Sequence, residues 1–324
     1  MSAAPATASG NPGSPGNAAK PGKKPRDPRT GLRNSATLAT VFAVVGHTVL
    51  GFEQSLAQLF VAVLSGYTWA LLFEWVDARS YNRPPGYAGG GFKKLVDFLL
   101  SAHMTSITTS FLIYANRRLW IMALATAIAI GSKYVLRVRC EGRLRHFMNP
   151  SNFALAVLYV TYQWTGVLPW SFTTKIHGVW DWVLPAIIVC LGVRLNILFT
   201  RKIPLILSWL GTFVVLGFVR SWIGGTHVAA ELVPLTGIAF VLFTFYMITD
   251  PQTTPAKPAC QALFGAGIAF AYSVLLILHV QYTMFYSVTI VAAIRGAWML
   301  AQGVRESAAQ RAALPPVAAA QPQI

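Results

Sequence analysis

Gln261-Ala-Leu-Phe-Gly-Ala-Gly-Ile-Ala-Phe-Ala-Tyr-Ser-Val-Leu-Leu-Ile-Leu-His-Val280 runs without a single Asp, Glu, Lys or Arg. As a helix, a run of this length rises about 30 Å, the thickness of a bilayer's hydrocarbon core. Just downstream, Met284–Leu300 repeats the pattern with Arg295 as its one charge. Upstream lie eight more apolar runs: Ser35–Phe52, Leu56–Trp75, Leu95–Tyr114, Leu119–Leu136, Phe153–Leu168, Trp182–Phe199, Pro204–Trp222 and Ala229–Thr249. A backbone in lipid must satisfy its own polar groups, so each run is expected to be a helix. The expectation is an all-α polytopic membrane protein of about ten transmembrane helices.

Composition agrees. The 324-residue chain is 55% hydrophobic and 11% charged, whereas soluble domains carry about 25% charged residues. Its net charge of +16 reads as loop charge of a membrane protein rather than as a nucleic-acid surface. Cys140, Cys190 and Cys260 form no CxxC pair, so neither a disulfide framework nor a zinc site is indicated. Residues 1–33 form a basic tail without an apolar h-region, expected to be disordered and not a cleavable signal peptide. Residues 34–302 are the expected membrane domain, with lipid as its surroundings. Residues 303–324 are an Ala/Pro-rich tail, also expected to be disordered.

Loop charge orients the chain. With the N-terminus in the cytoplasm, nineteen of the 26 Lys and Arg fall in cytoplasmic tails and loops. Only Arg117, Arg118, Lys175 and Arg220 fall outside, and Lys133, Arg194 and Arg295 lie within spans. The asymmetry predicts an even number of spans with both termini inside a bacterial inner membrane. Trp120, Trp164, Trp170, Trp180, Trp182 and Trp222 then form an indole belt at the outer interface. The three cations within spans are expected to snorkel to the cytoplasmic interface.

Two spans are unusual. The third carries His103, Thr105, Ser106, Thr108, Thr109 and Ser110 within about two turns, a stretch that must face protein or a cavity. The eighth holds Pro234 and Gly237 around Leu235 and Thr236, which predicts a kink or break. With ten spans, these occupy equivalent places in two five-helix halves of opposite orientation. Such inverted repeats bind at interrupted helices near the midplane. Plain helix packing by small polar residues accounts for the same pattern.

Two turn motifs share the cytoplasmic side. One is His146-Phe-Met-Asn149-Pro150-Ser-Asn152; the other is Ile248-Thr-Asp250-Pro251. Asn-Pro and Asp-Pro are turn and capping chemistry in any protein. As an ordered set with other segments, however, they resemble a family. Gly131-Ser-Lys133 followed by Phe147-Met-Asn149-Pro150-Ser-Asn152, then Lys202-Ile-Pro-Leu205, Leu235-Thr-Gly237, Met247-Ile-Thr-Asp-Pro251 and Gln261-Ala-Leu-Phe-Gly265 are similar to the RnfD/NqrB-type membrane subunits of ion-translocating redox complexes. The resemblance spans Leu95 to Leu300, about two thirds of the chain. Within it the chain looks most like stand-alone RnfD-like proteins of the UnbU type, encoded beside enediyne biosynthesis genes.

The resemblance implies a ten-helix inverted-repeat fold, flavin binding and one-electron transfer across the membrane. It implies a noncovalent riboflavin-type or FMN site on the cytoplasmic side near Asn149, Asn152 and Asp250, with His146, Lys133 and Thr236 among its residues. His146 stands where the family has an additional Asn, which keeps hydrogen-bonding capacity. The family's covalent-FMN segment, D-G-x-[ST]-x-A-T, is absent: the loop after the fifth span reads Pro169-Trp-Ser-Phe-Thr173-Thr174-Lys-Ile-His177-Gly. No covalent FMN is therefore expected, and Gly224-Gly-Thr226-His227 is only a loose echo.

The reading reached is an electron-transfer subunit, at most a component of a membrane oxidoreductase complex. Its redox partner would dock on the cytoplasmic side, where the basic loop Arg137–Arg145 offers charge. The alternative is a small-solute or ion transporter or channel, because a polar third span and a broken eighth span serve that reading as well. A third possibility is a haem carrier with His47 and His103 as axial ligands.

Overall fold

The computed structural model describes residues 28–140, 143–167 and 178–313. Eleven helices dominate. In the first half lie α1 (Pro28–Thr48), α2 (Leu56–Ser80), α3 (Gly91–Leu112), α4 (Leu119–Val135) and α5 (Pro150–Thr161). The second half holds α6 (Trp180–Leu195), α7 (Ile203–Gly224), α8 (Val228–Leu232), α9 (Ile238–Leu242), α10 (Pro258–Ile277) and α11 (Thr283–Ala313). Wider π-type turns extend α6 over Asn196–Thr200 and α9 over Phe243–Met247.

Local chemistry sets the starts and stops. Ser55 caps α2 by accepting from the Gln58 N–H at 3.3 Å, and Asn149 caps α5 by accepting from the Asn152 N–H at 3.1 Å. Pro150, Pro204 and Pro258 sit in first turns, where a missing N–H costs nothing. Gly225, at φ 65°, ends α7 in the left-handed region that glycine enters freely.

Four short strands tie the loops. β1 (Ile113–Tyr114) pairs antiparallel with β4 (Gly166–Val167), Ile113 opposite Val167. β2 (Arg137–Cys140) and β3 (Arg143–His146) form a hairpin with Arg137 opposite His146.

The chain is a multi-pass membrane protein. Among the described residues six helices are long and apolar enough to cross a bilayer: α2, α3, α6 with its π turn, α7, α10 and α11. The pair Val228–Thr236 and Ile238–Met247, bent by 65°, makes a seventh if it is counted as one broken span. That bend falls where Pro234 and Gly237 predicted it: Val233–Thr236 tightens to a 3-10 turn, and Gly237 is extended at ψ 135°. Ten spans were expected; by length and composition six or seven qualify among the described residues, and the remaining runs form shorter or more polar helices. α4 and α5 have only 17 and 12 residues, rising about 25 Å and 18 Å. The fifth run stops at Thr161 because the chain turns at Gln163 and Trp164 and then pairs as β4. The polar early turns of α1, with Arg29, Arg33 and Asn34, leave it outside the set of membrane-length apolar helices. Helix extends past the expected membrane domain at both ends, from Pro28 and to Ala313. The rest of both tails, and the loop 168–177, lie outside the described residues.

Packing follows small residues. The most extensive pairings are α7 with α10 and α2 with α4. At the first, a Cβ on Gly265 would meet the Leu205 carbonyl oxygen and sit 3.0 Å from the Trp209 nitrogen. Ser208 adds a hydrogen bond to the Ala262 carbonyl at 2.6 Å. At the second, Ser65 and Thr126 hydroxyls meet at 2.9 Å, and Trp69 donates to the Ala123 carbonyl at 3.2 Å. The fully buried Trp209, Phe213 and Phe243 centre the core of the second half, with Phe213 and Phe240 ring centroids 4.9 Å apart. The halves join along α5 and α11, where Tyr159 and Tyr282 stack at 4.3 Å.

Candidate functional site

The sequence's two turn motifs meet at one end of the molecule, where both halves contribute. Asn149 serves two joints at once. Its carboxamide oxygen caps α5, and its Nδ2 donates to the Met247 carbonyl at the end of α9's π turn, at 3.3 Å. Asn152 is buried at 2% exposure and donates from Nδ2 to the Phe285 carbonyl at 2.9 Å and Thr289 Oγ1 at 2.8 Å, both on α11. Its Oδ1 is buried with no protein partner. Both amides therefore act first as couplings between the halves.

Asp250 closes its own loop. Its carboxylate accepts from the Gln252 N–H at 3.1 Å and the Thr253 hydroxyl at 3.0 Å, which is Asx-turn geometry. Basic residues from three parts of the chain lie close enough to feel its charge: Lys133 of α4, His146 of β3 and Lys202 before α7. Lys202 is buried and donates to the Pro255 carbonyl at 2.6 Å. Arg295 of α11 donates to the Thr253 carbonyl at 2.7 Å, which ties α11 to this loop. Burial lowers the pKa of both His146 and Lys202, and Asp250 opposes the fall. One carboxylate faces two lysines and a histidine, with Arg295 on the same loop, which leaves this end electropositive.

The lowered His146 pKa has a testable sign. A histidine whose folded pKa lies below its ordinary value binds fewer protons than it does unfolded. Its contribution favours the fold above about pH 6.5 and is lost as pH falls through that value toward the folded pKa. Thermal unfolding of the detergent-solubilised protein from pH 7.5 to 5.5 is expected to show a falling midpoint. His146→Gln should flatten part of that fall; an equally steep fall in the variant would refute the assignment.

Thr236 is not brought to this cluster. It is exposed, bonds the Val233 carbonyl at 2.8 Å, and is separated from Asp250 by about 15 Å of helical rise along α9 and its π turn. Lys133 is drawn back onto α3, where its Nζ contacts Ser101 and Thr105. Sequence reasoning left out Lys202 and Arg295 as site residues, although Lys202-Ile-Pro had marked one position and the lone charge of the last span the other.

A second ionic cluster was missed because α2 runs five residues past the expected end at Trp75. Glu74 and Asp77 thus share one helix, one turn apart. Arg83 bridges them at 2.6 Å each, Arg137 reaches Asp77 at 2.5 Å, and the Gly86 N–H reaches Glu74 at 2.7 Å. The two carboxylates raise the Arg83 pKa further. With every oxygen engaged, the pair is a clamp on the loop after α2, not an acid–base dyad. Arg137 is consumed in that clamp; Arg139 and Arg145 remain exposed on the hairpin.

Four of the third span's polar residues, Thr105, Ser106, Thr109 and Ser110, are buried. Thr109 and Ser106 are fully buried, and Thr109 donates to the Thr105 carbonyl at 2.7 Å. Ser110 and Gln54 pair at 3.2 Å. His103 has both ring nitrogens engaged, Nε2 with Thr40 at 2.8 Å and Nδ1 with Tyr67 at 2.7 Å. Thr40 gives its own proton to the Ala36 carbonyl at 2.9 Å. Its oxygen therefore accepts from Nε2–H, and Nδ1 accepts from Tyr67. That leaves His103 no lone pair for a haem iron.

The chain matches no known family model, and no curated protein matches it.

Proposed function

We propose that this chain is a membrane electron-transfer subunit of the RnfD/NqrB type that holds a flavin noncovalently at the electropositive end described above. The observation carrying the reading is the convergence there of Lys133, His146, Asn149 and Asp250 from both halves. In this reading the bent α8–α9 pair is one element, so each half has five. The pairing of α2 with α4 then corresponds to that of α7 with α10, second element with fourth. α3 and the bent pair take the third places, and α5 and α11 the fifth. This correspondence supports ten elements in two inverted repeats. Both termini lie in the cytoplasm of a bacterial inner membrane, and the exposed Arg139 and Arg145 face the redox partner.

The residues fit a flavin in a narrower way than the motifs alone implied. An isoalloxazine's pyrimidine edge needs an acceptor for its ring N–H and donors for its carbonyls. The partly accessible Asp250 supplies the acceptor and His146 the donor. Asn149 and Asn152 are spent on the joints that hold these two in place, with the unpartnered Oδ1 of Asn152 the one amide oxygen left over. When bound, flavin would supply one-electron chemistry, and the surrounding cations would favour its reduced, more negative form.

Flavin content per purified protein tests this assignment. His146→Leu and Asp250→Asn are expected to lower occupancy severalfold while the protein remains in the membrane fraction. Acid precipitation should leave all flavin in the supernatant. Flavin retained in the acid pellet, or unchanged occupancy in both variants, would sink the proposal.

The transporter reading keeps one observation, the 65° break in a membrane-length helix pair. Against it, Thr109 is fully buried on α3 while Thr236 is exposed on the broken pair.

A further inference from the structure

Lys133 sits in the last turn of α4, yet its side chain does not run out along the helix end. Its Nζ donates to three oxygens of one neighbouring helix turn: the Ser101 carbonyl at 3.2 Å, Ser101 Oγ at 3.0 Å and Thr105 Oγ1 at 2.7 Å. Ser101 and Thr105 are one turn apart on α3. The Thr105 hydroxyl gives its own proton to the Ser101 carbonyl at 2.9 Å, so it turns only lone pairs toward the ammonium. Beyond this ring Asp250 supplies the nearest opposite charge. A backbone carbonyl, two hydroxyls and a more distant carboxylate make a hard, oxygen-only donor set of low net charge. That set suits a monovalent cation.

We propose that the Ser101–Thr105 turn is a monovalent-cation site, for ammonium or an alkali cation, which Lys133 occupies with its own tethered ammonium. The side chain thus makes the junction of α3 and α4 independent of dissolved cations. A charge held in this way keeps the Ser101–Thr105 turn of α3 positive whatever the salt outside. The inference shares Lys133 with the flavin reading, but its test reads only the oxygens of α3 and no redox property, so either can fail without the other.

The test compares thermal unfolding midpoints of the full-length protein in detergent, at equal ionic strength, in ammonium, sodium, potassium or choline chloride. The parent should show the same midpoint in all four. Lys133→Ala should unfold several degrees lower and recover saturably with ammonium or an alkali cation, not with choline. Adding Ser101→Ala and Thr105→Val to it should abolish the recovery. No recovery, recovery with choline, or recovery that survives loss of both hydroxyls would overturn the site. If Lys133→Ala cannot be purified, the Ser101→Ala/Thr105→Val double variant of the parent decides. It should lose stability through an uncradled ammonium and regain it when Lys133→Met removes that charge. An unchanged midpoint in the double variant, or no regain, would overturn the proposal.

Discussion

Gly265→Val is expected to leave no folded protein, and Gly265→Ala to lower the unfolding midpoint by about 10 °C. The cause is backbone against backbone. The Cβ of any residue at 265 would fall on the Leu205 carbonyl oxygen and within 3.0 Å of the Trp209 nitrogen, neither of which can rotate aside. Relief requires α7 and α10 to separate, which opens the core around Trp209, the largest fully buried side chain. Overpacking of this kind typically costs 1–3 kcal/mol where side chains can yield, and more where only backbone is available. Gly267 provides the internal control. Its Cβ would lie 3.6 Å from a Val291 methyl, so Gly267→Ala should behave as the parent does. Size-exclusion monodispersity and the midpoint of each variant decide the matter. A well-folded Gly265→Val would mean that α7 and α10 do not cross this closely.

Arg220→Ala comes next in expected effect. Arg220 was counted as an outer-loop cation from the sequence, but it lies inside α7 with its side chain 5% exposed. Its Nε donates to Glu231 of α8 at 2.7 Å and its Nη1 to Ser273 of α10 at 2.5 Å, so one side chain joins three elements. Glu231 also accepts from Thr226 at 2.9 Å. Truncating the arginine leaves a largely buried carboxylate unpaired, and breaking such a pair typically costs about 3–5 kcal/mol. Replacing both partners should be much milder. Arg220→Met/Glu231→Leu is expected to recover most of the midpoint lost by Arg220→Ala. Equal losses in the single and double variants would show that packing of the arginine stem, not the ion pair, is what α7 and α8 depend on.

The contrast between these residues explains what the sequence made legible. Apolar runs report membrane helices directly, because lipid leaves the backbone no other economical form. Pro234 and Gly237 reported a break because their effect is local to the backbone. Helix ends were harder. Continuing α2 to Ser80 depends on Arg83 and Arg137 arriving to neutralise Glu74 and Asp77, partners set by the fold of the loop and hairpin. Stopping α5 at Thr161 depends on β4 finding β1, fifty-four residues earlier in register at Ile113 and Val167. The site was legible as motifs but not as roles. Asn149 and Asn152 look like free amides in sequence, and only the approach of Met247, Phe285 and Thr289 shows where their hydrogen bonds go. Lys133 and Arg295 read in sequence only as cations within spans, and the oxygens of Ser101, Thr105 and Thr253 that receive them come from other elements.

The central claim is that this membrane protein carries electrons on a bound flavin, and its visible absorption spectrum is the most direct test. Full-length protein purified in mild detergent, without added cofactor, should show flavin bands in the blue that bleach on addition of dithionite and return in air. It should show no Soret band. A spectrum without flavin absorbance, from protein that is folded and monodisperse, would contradict the account and leave the broken α8–α9 span to be explained by transport.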